Sequence, residues 1–361
     1  MSQKLPTDGT GSSRRDFLKT GVAAAVGVAA GTQLRGAAST ETAPAPGPPY
    51  NPRTHQAMPT RNLGRTGYRT GIFSLGGQAT IEKPDQWDAA AAIVNRAIDL
   101  GVNYIDTAAA YGRPRTPDTP RWELRGISQT YIGEVMATRR KEVFLASKTD
   151  DRTRDGSLKL LEQSLTLLKT DHLDLWQVHN IMRDEQVEQI FGKDGAMEAL
   201  LKARDQKMVR FLGITGHYDP AVLYRAVERF DFDTILMALN PADRHRLPFQ
   251  TDLLALANKK RMGVIGMKIP ARDRLFRPDG ISTMKDAMGY TLTLPISTVI
   301  IGCKTVEQLE ENIAIAKNFS PLPAAEMARL EGLTAGYVAD ASWFKKPVTA
   351  GAPAENDQNT D

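Results

Sequence analysis

Asp106 and Tyr111 lie five residues apart in Gly101-Val-Asn-Tyr-Ile-Asp-Thr-Ala-Ala-Ala-Tyr-Gly112; Lys148 ends the run Val143-Phe-Leu-Ala-Ser-Lys148, and His179 follows Leu173-Asp-Leu-Trp-Gln-Val178. Together these types can move a proton. A phenol's unperturbed pKa is about 10, too high for easy transfer at neutral pH. A lysine ammonium beside it favours the phenolate, and an aspartate beside the lysine keeps that ammonium charged and in place. A histidine can hydrogen-bond a substrate oxygen. The set makes a general acid for a carbonyl oxygen as hydride reaches its carbon. Singly, each has a bland reading. The aspartate is a cap or turn residue, the tyrosine a loop aromatic, the histidine a satisfied core residue. Lys148 is hardest to dismiss, because a lysine closing an apolar run needs a partner.

Such a set must be brought together by strand ends. Short apolar strands are expected at 73–77, 102–106, 143–148, 173–178, 209–214, 234–239, 263–267 and 297–301. Helical patterns alternate with them at 85–100, 128–138, 156–168, 194–207, 219–230, 250–261, 281–293 and 305–317. A hairpin over 61–72, turning at Thr66-Gly67, precedes them, and an extra helix over 323–334 follows. Eight such units predict an α/β fold of the (β/α)8 TIM-barrel kind, with chemistry at the C-terminal strand ends. An open doubly wound sheet is the alternative, but Gly76-Gly77-Gln78-Ala79-Thr80 is no GxGxxG turn.

These stretches resemble the aldo-keto reductase superfamily over about 61–335. The likeness also covers Leu63-Gly-Arg-Thr-Gly67, Gly126-Ile-Ser-Gln-Thr-Tyr-Ile-Gly133, Leu165 to His179, Val209-Arg-Phe-Leu-Gly-Ile-Thr-Gly-His217 and Ile300 to Ile313. The resemblance implies a catalytic tetrad of Asp106, Tyr111, Lys148 and His179. The implied reaction is NAD(P)(H)-dependent reduction of an aldehyde or ketone, or oxidation of the alcohol. It also implies an extended cofactor without a Rossmann fold. Gly302, Lys304, Thr305, Gln308, Glu311 and Asn312 would surround its adenosine end, with phosphate at the N-terminus of the helix begun there.

The sequence departs from the family in several places. Gln308 replaces the arginine usual in NADP-preferring members, so Lys304 carries the lean to NADP(H) over NAD(H). Thr215-Gly216 replaces a Ser-Asn pair, Leu236 a glutamine, and Met267, followed by Lys268, the aromatic that stacks on nicotinamide. These departures motivate the alternative of a non-catalytic exported ligand- or partner-binding barrel. A weaker third reading is a cofactor-assisted epimerase or hydrolase.

Residues 1–39 resemble a twin-arginine export signal. Arg14-Arg15-Asp16-Phe17-Leu18-Lys19 precedes an Ala/Gly-rich run, 21–31, too short for an ordinary membrane span. Expected accordingly are export by the twin-arginine machinery to the periplasm or beyond, and a cofactor held tightly by the folded cargo. A linker over 40–60, a barrel over 61–346 and a disordered tail over 347–361 complete the expected organisation. The loop 113–125, with Trp122, is read as a lid.

Composition adds exclusions. The 361 residues are 41% hydrophobic and 24% charged with net charge +4, ordinary for one soluble globular core. Interspersed charges give no sign of nucleic-acid binding. Cys303 is the one cysteine, which excludes an internal disulfide and a Cys-rich metal or iron–sulfur site, and no histidine pair has HExxH spacing. No metal is expected. The partners expected are a small carbonyl or alcohol substrate and the export machinery, with the chain a monomer.

Overall fold

A computed structural model describes residues 47–112 and 126–347. The export signal, the loop 113–125 with Trp122, and the tail after Pro347 lie outside the described residues. In chain order come helix α1 (Thr54–Ala57), hairpin strands β1 (Thr60–Asn62) and β2 (Arg69–Gly71), then the first barrel strand β3 (Phe73–Gly76) and α2 (Trp87–Asp99). The next units are β4 (Tyr104–Asp106), α3 (Ile127–Arg139), β5 (Phe144–Thr149), α4 (Arg154–Leu167), β6 (Leu173–Val178), α5 (Asp184–Phe191) and α6 (Ala196–Asp205). They are followed by β7 (Val209–Gly216), α7 (Pro220–Arg229), β8 (Thr234–Ala238), α8 (Asp252–Lys259), β9 (Gly263–Met267) and α9 (Met284–Thr293). The chain continues through β10 (Thr298–Ile301), α10 (Val306–Lys317), α11 (Ala324–Thr334) and α12 (Val338–Ala341).

Strands β3 to β10 close into a parallel barrel in sequence order, β10 pairing back onto β3. This is the (β/α)8 TIM barrel expected from the alternating patterns. Strands β4, β5 and β6 are buried along their whole length, as a sheet covered by helices requires. Tyr104, Phe144, Ala146, Leu175, Leu236, Ile265 and Ile300 fill the interior, with Phe211 packed against them. The hairpin plugs the N-terminal end. Leu63 and Tyr68 join that core, Tyr68 stacks on Phe144 at 4.6 Å, and its hydroxyl donates to Asn103 O at 2.9 Å. A sealed bottom leaves the opposite end, where Asp106, Lys148 and His179 lie, as the open mouth.

Two expectations change. Between β6 and the helix expected over 194–207 stands an additional helix, α5, whose Val187 and Ile190 are buried. Much of the expected linker is packed: Thr54 and Met58 are buried, and Asn51 Nδ2 donates to Ile98 O at 2.8 Å. Proline-rich composition reads as linker only where no side chain finds a partner, and here Asn51 does. After α11 the chain also continues into α12 and the buried Phe344 and Lys345.

Helix starts follow ordinary capping: Thr153, Asp219, Thr283 and Thr305 accept from backbone N–H groups in the first turns of α4, α7, α9 and α10. Gly133 sets the approach of α3 to α4, since a Cβ there would stand 1.9 Å from Leu167 O. Gly133→Ala should therefore destabilise the fold by about 1–3 kcal/mol, despite alanine's better helix propensity, as read by chemical denaturation.

Candidate active site

The four predicted proton-transfer residues meet at the barrel mouth. Asp106 ends β4, Lys148 lies on β5 beside it, His179 follows β6, and Tyr111 folds back from the loop after β4. Lys148 Nζ contacts Asp106 Oδ2, donates to Thr107 O at 2.8 Å and lies 3.3 Å from Tyr111 Oη. It also stands 4.7 Å from the centre of the Tyr111 ring. His179 meets that ring edge-on, with centroids 5.7 Å apart. Asp106 and Lys148 are each 1% exposed, Tyr111 8% and His179 6%, so water scarcely screens the set.

Burial is the strongest influence on Asp106 and pushes its carboxyl up from the ordinary carboxylate range; Lys148, Gln177 and Tyr104 pull against it. Those three groups saturate the carboxylate: Lys148 on Oδ2, Gln177 Nε2 on Oδ1 at 3.0 Å, and Tyr104 Oη on Oδ1 at 3.4 Å. Burial and the Asp106 charge hold Tyr104 well above the usual phenol range, so it remains a donor. The arrangement can keep an ammonium fixed beside a phenol at a position reachable from the cleft.

That cleft has a volume of about 380 Å³. It runs from Asp106, Tyr111 and His179 past Thr215 and Met267 to Lys304 and Gln308. Lys83, Lys268 and Arg272 bring further positive charge to its wall.

Residues 70–276, more than half of the chain, match the Aldo/keto reductase family. The chain belongs to that family. It is 27% identical to the uncharacterized oxidoreductase YqkF of Bacillus subtilis over 288 residues, which are 68% of this chain and 87% of that protein. It is 26% identical to L-galactose dehydrogenase of Arabidopsis thaliana, over 73% of this chain and 89% of that protein. Among solved structures, aldo-keto reductase AKR11C1 from Bacillus halodurans in its holo form superposes with TM-score 0.63. At 21% identity, covering 76% of this chain and 96% of that one, the likeness bears on the fold. Family and relatives make the chain an oxidoreductase.

In this aldo/keto reductase the expected cofactor residues divide. Thr215, Met267, Lys268, Gly302, Lys304 and Gln308 line the cleft; Thr305, Glu311 and Asn312 do not. Asn312, expected beside an adenosine, is on the buried face of α10 with its amide on Cys303 Sγ at 3.6 Å, and Glu311 is exposed. The helix start is also differently used than expected. Thr305 Oγ1 accepts from Gln308 N at 3.2 Å, and Gln308 Oε1 accepts from Lys304 N at 2.6 Å. The Thr305 cap thus occupies the Gln308 amide of the first turn, and Gln308 in turn occupies the Lys304 amide just ahead of the helix. Gly216 has a steric origin: a Cβ there would lie 2.8 Å from Ile181 O, so no asparagine fits.

Sequence reading missed Gln177, Arg272 and Asp273. Gln177 left a signal, a polar residue inside the apolar strand Leu-Trp-Gln-Val. Arg272 and Asp273 left none. They follow β9 in a loop where Lys268, Ala271, Arg272 and Asp273 have φ of 60°, 48°, 54° and 68°, conformations that non-glycine residues seldom adopt.

Proposed function

We propose that the protein is a nicotinamide-dependent carbonyl reductase, working also as an alcohol dehydrogenase, with Tyr111 as general acid and base. The observation that carries this reading is Lys148 Nζ in contact at once with Asp106, Thr107 O and the Tyr111 hydroxyl within the cleft. A nicotinamide nucleotide supplies the hydride in reduction and receives it in oxidation. The chain's own part is the proton. Tyr111 Oη donates to the carbonyl oxygen as negative charge develops there. The Lys148 ammonium stabilises the phenolate left behind, and Asp106 holds that ammonium in place. His179, edge-on to Tyr111, orients the carbonyl by a hydrogen bond. In oxidation the phenolate takes the alcohol proton back.

The cleft fits such a cofactor. It is lined by the proton donor Tyr111 and carries Lys83, Lys268, Arg272 and Lys304 for phosphate charge. Met267 offers an apolar wall for a nicotinamide ring, and Thr215 a hydroxyl beside it. The lean to NADP(H) over NAD(H) rests on Lys304, which would meet a 2′-phosphate. Lys304 is ion-paired with Asp273. Asp273→Asn should free that charge and raise NADPH affinity about two- to fivefold, with NADH affinity unchanged, in a fluorescence titration. Equal changes for both nucleotides would place the 2′-phosphate elsewhere.

Export in the folded state by the twin-arginine route, as a monomer carrying its cofactor, completes the proposal. Replacing Arg14 and Arg15 by lysine should leave the protein in the cytoplasm. Mass spectrometry of protein denatured after dialysis tests retention of the nucleotide. Turnover of NADPH with 4-nitrobenzaldehyde and a wider aldehyde and ketone panel tests the chemistry; no nicotinamide-dependent turnover on any of them counts against it. The alternative, a barrel without catalysis, rests on Gly216, Leu236 and Met267.

A further inference from the structure

Gln177 is wholly buried on β6, and its Nε2 donates to Asp106 Oδ1 at 3.0 Å. A carboxylate can only accept, so the amide nitrogen must face it and Oε1 must face away. On that far side, among the described residues, Oε1 meets no hydrogen-bond partner, and neither does the buried Thr234 Oγ1 of β8. Between them β7 carries no side chain. A Cβ at Gly213 would stand 2.4 Å from Thr234 Oγ1 and 2.9 Å from Gln177 Cγ. One layer deeper, β6 and β7 place Leu175 and Phe211 in the apolar core, and one layer nearer the mouth β8 places Leu236 there. A leucine at 177 would extend that packing and leave no orphaned oxygen. Among the described residues, the amide's one side-chain hydrogen bond is to Asp106. A primary amide is costly to bury beside an apolar core, so its hydrogen bond to Asp106 calls for a role.

We propose that Gln177 is a positioning residue of the proton-transfer set. It holds Oδ1 and thereby fixes the rotation of the Asp106 carboxylate. Oδ2 then meets Lys148, and the ammonium stays within reach of Tyr111 Oη. Gly213 is the vacancy that lets the amide adopt this position. The inference rests on the reading of Tyr111 as the proton donor. The polar and charged groups facing Asp106 are Tyr104 from its own strand, Lys148 from β5 and Gln177 from β6, with Tyr111 reached through Lys148 and His179 through Tyr111.

Two variants test it with 4-nitrobenzaldehyde and NADPH. Gln177→Met should lower kcat about tenfold to hundredfold, the effect of one hydrogen bond to a charged group, with the NADPH Kd unchanged. Gln177→Glu preserves shape. Protonated, it can donate to Asp106 as the amide does; ionised, it repels Asp106. Its kcat should approach that of the unaltered enzyme at acid pH and fall to the Gln177→Met level as pH rises, a limb that the unaltered enzyme lacks. Unaltered kcat and pH profile in both variants would overturn the proposal. A crystal structure of either variant gives a readout independent of turnover. With methionine, the Asp106 carboxylate should rotate off Lys148; with glutamate, it should do so at alkaline pH. An undisturbed Asp106–Lys148 contact in these structures overturns the proposal. Should the unaltered protein show no turnover, the reductase reading fails, and the structures still decide what Gln177 positions.

Discussion

Tyr111→Phe should lower nicotinamide-dependent turnover by about 10²- to 10⁴-fold, the usual range for a positioned general acid. The substitution removes one oxygen and keeps the ring. The edge-on contact with His179 and the Lys148 ammonium near the ring both survive it. Nucleotide affinity, measured by fluorescence titration, should therefore change little. The loss should appear in kcat, because the proton is needed as charge develops on the carbonyl oxygen and not during binding. Turnover within about threefold of the unaltered enzyme would remove Tyr111 from the chemistry. It would favour a non-redox use of the barrel.

The largest expected effect on stability is at Lys345. Its ammonium is 1% exposed and pairs with Asp243, equally buried in the loop after β8. Nζ also donates to Arg246 O at 2.9 Å and Leu247 O at 3.1 Å. Asp243 accepts in addition from Phe249 N at 3.1 Å and Gln250 N at 2.9 Å. Burial pushes the Asp243 carboxyl up and the Lys345 ammonium down, so each charge depends on its partner. Lys345→Met leaves a carboxylate without its cation and two carbonyls without a donor. Breaking a buried pair from one side costs about 3–5 kcal/mol. Differential scanning calorimetry should show Tm lower by roughly 10 °C. The double variant Lys345→Met, Asp243→Asn should recover part of the loss, since it leaves no unpaired charge. A single-variant Tm within about 2 °C of the unaltered protein would show that the C-terminal segment is dispensable for folding. The pair also holds Phe344, which lies 5.6 Å from the rings of His217 and from Lys268 Nζ. Losing the pair should therefore disturb the cleft wall as well.

The sequence by itself determined the barrel and the four residues at its mouth. Alternating apolar strands and amphipathic helices carry the topology locally. A charged residue closing an apolar strand, as Lys148 does, announces a buried partner. Asp106, Tyr111 and His179 are legible for the same reason, since their positions follow from where strands end.

What only the tertiary structure decided depends on contacts between distant segments. The packing of Asn51 and the burial of Lys345 need partners 47 and 102 residues away, which no local pattern encodes. The strained loop after β9 puts Arg272 and Asp273 on the cleft through backbone angles that their residue types do not suggest. Asn312 turns toward Cys303, and Gln308 closes its own helix start. A helix register gives the facing direction of a residue; it does not give the nearest competing partner. Gln177 shows the boundary most clearly. The strand pattern marks it as buried and polar, and only the pairing of β4 and β6 on either side of β5 shows which carboxylate it serves.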